Sequence, residues 1–310
     1  MTATTLPAEF DRLSITYHHL AGIVRTESLR RGFGTGDTIR ILDVGCGAGA
    51  LLGFLQAALP SLLPGVSFEL HGLDVGDSKV QPSDYFGGTL ERLSGQHPDV
   101  PWADRLALID SKSAWPYPAQ HFHFILSNQV LEHVRDHGRL FDNLKTCLRP
   151  DGLSAHLFPV REVWWELHVK APFAHWFREG ETAASWLRLV SLLGLSTWRR
   201  YCRLVEPVAL EEYVRMNRDF IVFETNYLYE REFATLAKLY AFRYSLRYTE
   251  DFFFNRLRRL AGQPLNYDYA PRNGLSHWFW TRIMKRINSV TLILEQDNTY
   301  VHRNMHDPGR

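Results

Sequence analysis

Residues Ile41–Ala50 read ILDVGCGAGA. A short apolar run ends at Val44, and glycines follow at alternate positions, Gly45, Gly47 and Gly49, before the helical pattern ALLGFLQAAL begins. Such a strand-turn-helix unit lets a ligand approach the backbone where no Cβ intervenes. The spacing is GxGxG, not the GxGxxG of dinucleotide sites. Asp43 stands two residues before the first glycine, where it would repel a pyrophosphate but favour a ligand carrying an ammonium and a sulfonium. Taken alone, the turn fits a tight ligand-free connection as well.

Outward from that stretch, residues 38–159 alternate short apolar runs with helical patterns, as a parallel α/β sheet requires. IRILDV is the first strand and VSFELHGLDV the second, ending near Asp74. RLALID is the third, FHFILSN the fourth, and VLEHV opens a helix running to about Leu148. RPDG reads as a turn before a fifth strand, LSAHLFP, and SVTLILEQ is a last strand returning to the sheet. Asp74 lies 25 residues beyond Gly49, at a strand end, where a carboxylate can accept from both hydroxyls of a ribose.

Five motifs in this order, ILDVGCGAG, LDV, ID before SAWPYP, FHFILSNQVLEHV and LRPDG, resemble the class I S-adenosylmethionine (SAM) dependent methyltransferases, in the small-molecule, type 11-like branch. The resemblance covers about residues 39–159, with a weaker match at the final strand. It implies a Rossmann-like, mostly parallel sheet with SAM as cofactor. Asp43, Gly45, Cys46, Gly47 and Gly49 would lie along its methionine part, Asp74 and Val75 at the ribose, and Asp110 and Ser111 near the adenine. Ser127, Asn128 and Gln129 would line the methionine side, and Tyr17, in an N-terminal helix, would cap the cofactor. The SNQV that ends the fourth strand departs from the Asn/Asp-Pro-Pro-aromatic box of amino-group methylases, which argues against bases of nucleic acids and protein amides as acceptors.

Methyl transfer from a sulfonium is an in-line displacement, so such an enzyme aligns its acceptor and excludes water. An alcohol or phenol acceptor also needs a base, and histidine serves near neutral pH. His133, in LEHV, lies where the resemblance places the mouth of the site. Glu166, His168 and His175 lie in FPVREVWWELHVKAPFAHWF, beyond the fifth strand, where loops border the ligand crevice. Glu166 and His168 are two apart and would share one face of an extended segment. The same residues also fit a polar loop folded onto the domain. The spacing E-x-H-x6-H matches no established ligand motif, so no metal is assigned.

Composition shifts beyond the fifth strand. Of the 41 Phe, Trp and Tyr residues, 26 fall within 160–286, together with 20 Lys+Arg against 14 Asp+Glu. The expected organisation is an N-terminal helical segment (1–36), a SAM-binding core (37–159), an aromatic helical insertion or acceptor lid (160–286) and the last core strand with a tail (287–310). A formal net charge of +1 gives no basis for polyanion binding, so a small-molecule acceptor is expected and nucleic acid is not. No run is long enough to span a bilayer, and MTATTLPAEFDRL has no signal-peptide pattern. Three Cys without a CxxC pattern point to reduced thiols and a cytoplasmic setting. The expected reaction is methylation of an oxygen in a specialised metabolite or glycan-like compound. Carbon or nitrogen methylation, another SAM-using reaction, and a non-catalytic SAM-binding protein with a partner-binding insertion stay open as alternatives.

Overall fold

Apolar strands with side chains buried on both faces need helices on both sides, and the chain supplies them. The computed structural model describes Leu6, Pro7, Phe10 and residues 12–77, 84–177, 179–270 and 274–297. In chain order the elements are α1 (Ile15–Arg30), β1 (Thr38–Val44), α2 (Ala50–Leu62), β2 (Ser67–Val75), α3 (Tyr85–Gln96), the single turn α4 (Trp102–Arg105) and β3 (Leu106–Ile109). Then come β4 (Phe122–Asn128), a 3-10 turn at Leu131–His133, α5 (His137–Cys147) and β5 (Leu148–Phe158). The two-residue strands β6 (Trp165–Glu166) and β7 (Ala171–Pro172) precede a second 3-10 turn at Ala174–Trp176. The chain continues through α6 (Gly180–Leu192), α7 (Trp198–Leu204), α8 (Leu210–Phe223), α9 (Glu230–Leu239), β8 (Phe242–Ser245), α10 (Thr249–Leu260), α11 (Leu275–Ile287) and β9 (Val290–Gln296).

Seven strands form one sheet in the order β3-β2-β1-β4-β5-β9-β8. The pairs among β1 to β5 are parallel, and β9 runs antiparallel between β5 and β8. This is the Rossmann-like arrangement expected, with strand order reversing between β1 and β4, the place at whose carboxyl ends such sheets bind ligands. On one side of the sheet, Leu20, Ile23 and Val24 of α1 pack with Leu52, Leu55 and Leu59 of α2 and Phe252 of α10. On the other, Leu140, Phe141 and Leu144 of α5 pack with Phe233 and Ala237 of α9. No described helix is long and apolar enough to cross a membrane.

The structure corrects two local expectations. The helix expected from VLEHV onward is split: Leu131–His133 is a 3-10 turn, and α5 begins only after Asp136, whose side chain accepts from the Arg139 N–H at 2.9 Å. An Asp that caps a helix holds its own backbone outside it, so the LEHV turn stays separate. RPDG is not a free turn but lies within β5, whose register against β4 shifts between Phe122 and Phe124. The region 160–286, the helical insertion expected before the last strand, packs in two parts. Val169, Ala171, Ala174, Leu187, Val190, Val214 and Ile221 form a small core of their own. From α9 onward, however, side chains join the main cores, and β8 pairs with β9. The buried Glu27 carboxylate of α1 accepts from the Tyr248 hydroxyl at 2.5 Å and from Arg247 at 3.1 Å, tying the start of α10 to α1. The aromatic enrichment therefore spans two structural units, because aromatics serve packing in both.

Candidate active site

Asp43 and Asp74 end adjacent strands, β1 and β2, and both are buried. The Gly47 N–H donates to Asp74 Oδ2 at 2.7 Å and the Val75 N–H to Oδ1 at 2.8 Å, so the glycine turn is latched to the second carboxylate. Burial and the neighbouring Asp74 charge hold the Asp43 carboxyl well above the usual carboxylate range. Burial, reinforced by Asp43 and Asp74, pushes the Cys46 thiol well above its ordinary value, so it is no nucleophile at neutral pH. Tyr17 of α1 lies against Phe54, and its hydroxyl is pushed up by burial and by Asp43.

The glycines have packing reasons as well as ligand reasons. Gly45 has φ 71°, and a Cβ there would lie 2.5 Å from Val130 Cγ2; at Gly49, φ 68°, it would lie 2.7 Å from Leu93 Cδ1. The turn is thus pressed against the segment after β4 and against α3, in a left-handed backbone that other residues adopt at a cost.

Among the other expected cofactor residues, Asp110 is exposed at the end of β3 and accepts from the Lys112 N–H at 2.8 Å. The Ser111 N–H and hydroxyl both donate to Asp77, at 2.9 and 2.6 Å, an acid the sequence reading passed over. The buried Asn128 Oδ1 has no hydrogen-bond partner among the described residues. Ser127 turns away from the glycine turn and bonds His156 Nδ1 at 2.8 Å. Gln129, at φ 57°, sends its amide to Ser289 Oγ at 3.0 Å and to the Leu157 carbonyl at 3.4 Å. Its side chain holds β9 against the end of β5, where sequence alone had put it at the cofactor.

The second half of the site lies just beyond β4. His133 Nε2 and His168 Nε2 are 3.2 Å apart. His133 Nδ1–H donates to the Glu224 carbonyl at 2.6 Å, and His168 Nδ1–H donates to Glu166 Oε1 at 2.8 Å. Glu166 Oε1 also accepts from the Tyr227 hydroxyl at 2.7 Å, and Oε2 from the Val169 N–H at 2.6 Å. Burial works to raise the Glu166 carboxyl, but the hydrogen bonds from His168, Tyr227 and Val169 hold it below the usual range. For His168 burial works against protonation, but the Glu166 carboxylate outweighs it and raises the imidazole above its ordinary value. Burial lowers His133.

Three of the four expected residues, His133, Glu166 and His168, therefore meet. The β6–β7 hairpin, which pairs Glu166 with Ala171, turns at His168. The end of α8 holds the other side, since the Asn226 N–H donates to the Glu132 carbonyl at 2.5 Å and its amide to the Val134 carbonyl at 3.0 Å. His175 does not join them. Its Nε2–H donates to the Arg161 carbonyl at 3.1 Å, its ring packs on Tyr227, and burial pulls it down to about 4. Sequence reasoning missed Tyr227 and Glu132. Glu132 is buried with neither carboxylate oxygen hydrogen-bonded among the described residues, and burial pushes it up to about 8. Its adjacency to His133 was the one available signal.

A family model described as a methyltransferase domain matches residues 18–204. The chain belongs to that family, the class I SAM-dependent methyltransferases. A ubiquinone biosynthesis O-methyltransferase from Paramagnetospirillum magneticum is 29% identical over 149 residues, which cover 47% of this chain and 51% of that protein. The chain thus spans about half the length of this curated relative. Among solved structures, the citrinin polyketide synthase CMeT domain aligns with a TM-score of 0.48 at 13% identity, over 91% of this chain and 53% of that one. The YcgJ protein of Bacillus subtilis aligns with a TM-score of 0.43 at 12% identity, over 90% and 99%. The plantazolicin methyltransferase BpumL in complex with SAH aligns with a TM-score of 0.43 at 14% identity, over 91% and 84%.

The residues present fit SAM, the family's cofactor. Two buried carboxylates and the unpartnered Asn128 Oδ1 are acceptors suited to an ammonium and to ribose hydroxyls.

Proposed function

We propose that this protein transfers the methyl group of SAM to an oxygen of a small-molecule acceptor. The observation that carries this reading is the His133–His168 contact, ordered by Glu166 and the Glu224 carbonyl, on the turn that follows β4. When bound, the cofactor supplies an electrophilic methyl group on sulfur. Asp43 and Asn128 would accept from its ammonium side and Asp74 from its ribose, while Tyr17 covers it and Asp110 and Ser111 border the base. The left-handed turn at Gly45, Gly47 and Gly49 lets the backbone of Cys46 and its neighbours come close. Glu166 keeps His168 oriented with Nε2 toward His133, and the imidazole pair takes up the hydroxyl proton as the oxygen is methylated. Phe220 packs against both imidazoles, and Trp164, Trp165 and Trp176 are exposed on and after the hairpin. These rings would form the apolar wall of the acceptor pocket. His175 is assigned a positioning role through Tyr227. The O-methyltransferase activity in the relative's name supports oxygen as the target, and a formal net charge of +1 supports a small acceptor over nucleic acid.

The test has two stages. Calorimetry with SAM and its demethylated product should show binding by the full chain; silence from both would end the proposal. Labelled SAM is then incubated with metabolite pools, and label on carbon or nitrogen would exclude oxygen. Glu166→Gln and His168→Gln should each lower kcat by about a hundredfold or more while SAM affinity stays within about twofold. Full turnover in both would remove the imidazole pair from proton transfer.

A further inference from the structure

The two imidazoles pose an electrostatic problem that a shared ligand solves. Each has its Nδ1–H directed at a fixed acceptor, the Glu224 carbonyl for His133 and Glu166 Oε1 for His168. In neutral imidazoles this sets both Nε2 atoms as lone-pair acceptors, and they face each other at 3.2 Å. Two lone pairs at that distance repel unless a positive centre lies between or beside them. The third participant is Glu132, 1% exposed, with neither carboxylate oxygen hydrogen-bonded among the described residues. One atom from each of Glu132, His133 and His168 lies within 4.8 Å of the other two.

We propose that Glu132, His133 and His168 bind one first-row divalent cation of the zinc class, next to the acceptor pocket. The donor set is two imidazole nitrogens and a carboxylate, which suits zinc and its transition-metal neighbours; magnesium and calcium prefer all-oxygen cages. The nitrogen separation agrees, since two ligands about 2.1 Å from a zinc ion and subtending about 100° lie about 3.2 Å apart. The outer partners agree too. A metal-binding histidine normally gives its other N–H to a carboxylate or carbonyl, which fixes the tautomer. Glu166 does this for His168 and is itself held by Tyr227 and the Val169 N–H; the Glu224 carbonyl does it for His133. Three protein ligands leave coordination open on the side of His168, whose side chain is 28% exposed. An acceptor hydroxyl entering there would be acidified by the cation and lose its proton to solvent, so with the cation bound the metal replaces the imidazole pair in the task assigned above. That contribution to turnover rests on the proposed methyl transfer; cation binding does not.

Full-length protein, stripped with a chelator and dialysed, is titrated with zinc chloride by calorimetry and, separately, with cobalt(II) followed by visible absorption. The expected result is one ion per chain with release of protons, and d–d bands without the intense thiolate band that Cys46 would produce. Glu132→Gln and His168→Gln should each weaken zinc binding at least a hundredfold, and Glu166→Gln by 10- to 100-fold. Far-ultraviolet circular dichroism and binding of the demethylated cofactor product check the fold of each variant. If Glu132→Gln does not fold, the partly exposed His168→Gln carries the test. Absence of a one-to-one zinc complex would overturn the proposal, leaving a proton shared between the imidazoles. So would zinc affinity unchanged in a folded His168→Gln, or a thiolate band with cobalt. Zinc binding without SAM binding would break the methyl-transfer reading alone, and SAM binding without zinc binding would break this one alone.

Discussion

Asp43, the glycine turn and Asp74 occupy the ends of two neighbouring parallel strands, and the hydrogen bond that latches them, from Gly47 to Asp74, crosses 27 residues. The proposed acceptor centre, beyond the end of β4, is gathered from farther apart. His133 meets His168 across 35 residues, Tyr227 reaches Glu166 across 61, and His133 reaches the Glu224 carbonyl across 91. The cofactor end is backbone-built, with N–H groups and left-handed glycines on a rigid strand-to-helix turn. The acceptor end is built from side chains, carried by a two-residue hairpin and a 3-10 turn and clamped by the end of α8. A backbone cradle accommodates one common ligand with few sequence choices, whereas side chains on short loops can be exchanged without disturbing the sheet.

The strongest way to break the comparison is acid. His19, behind the cofactor end, bonds Tyr269 and Thr291; His156, behind the acceptor end, bonds Ser127 and Ser154. Burial pulls each down to about 3, so both stay neutral in the fold. The unfolded chain takes up these protons below about pH 6.5, so their stabilisation is complete above that pH and is lost as pH falls toward about 3. The raised Asp43 and Glu132 carboxyls pull the other way over part of this window, so the measured quantity is a difference between proteins. His19→Gln and His156→Gln should each flatten the dependence of unfolding free energy on pH by up to about 1.4 kcal/mol per pH unit per histidine. Urea titrations at several pH values check this. Two separate acid transitions would mean that the two ends are not one cooperative unit.

A smaller effect is expected where the two ends touch. Gly45→Ala should destabilise the fold by about 2–4 kcal/mol, from left-handed strain and from the clash with Val130. Adding Val130→Ala should recover part of that loss. If the double variant is no more stable than the single one in urea, the contact between the ends is not what restricts Gly45. The smallest change belongs to the cofactor end alone. Asp74→Asn should weaken SAM binding by about tenfold to a hundredfold, since hydrogen bonds to a charged group are exchanged for weaker neutral ones. It should leave zinc affinity unaltered. Calorimetry with each ligand would expose coupling between the ends if both affinities fell.

Legibility followed the same division. ILDVGCGAGA and LDV could be read because their functional atoms belong to consecutive backbone on strands of strong pattern. His133, Glu166 and His168 were picked out as chemically able residues in the right loops, but their partnership was not visible. Glu132 was not singled out in the sequence, and only the structure buries it with no hydrogen-bond partner among the described residues. His175 was chosen by the same reasoning as His168, yet the 3-10 turn at Ala174–Trp176 directs it to the Arg161 carbonyl. Gln129 was placed at the cofactor by resemblance, and its positive φ turns it toward Ser289. The strand β8 was hidden inside an aromatic pattern of helical spacing, because four residues are too few to establish a period of two.

By itself, then, the sequence determined the class of fold, and it marked out the strand-turn-helix and flanking acids proposed to receive the cofactor. These depend on local periodicity, glycine conformation and charge, all properties of contiguous residues. Tertiary structure alone decided which histidines face each other, which nitrogens carry the protons, and which glutamate lies buried beside them. Those outcomes depend on where a hairpin, a 3-10 turn and the end of α8 converge. Packing sets that convergence, and no spacing along the chain encodes it.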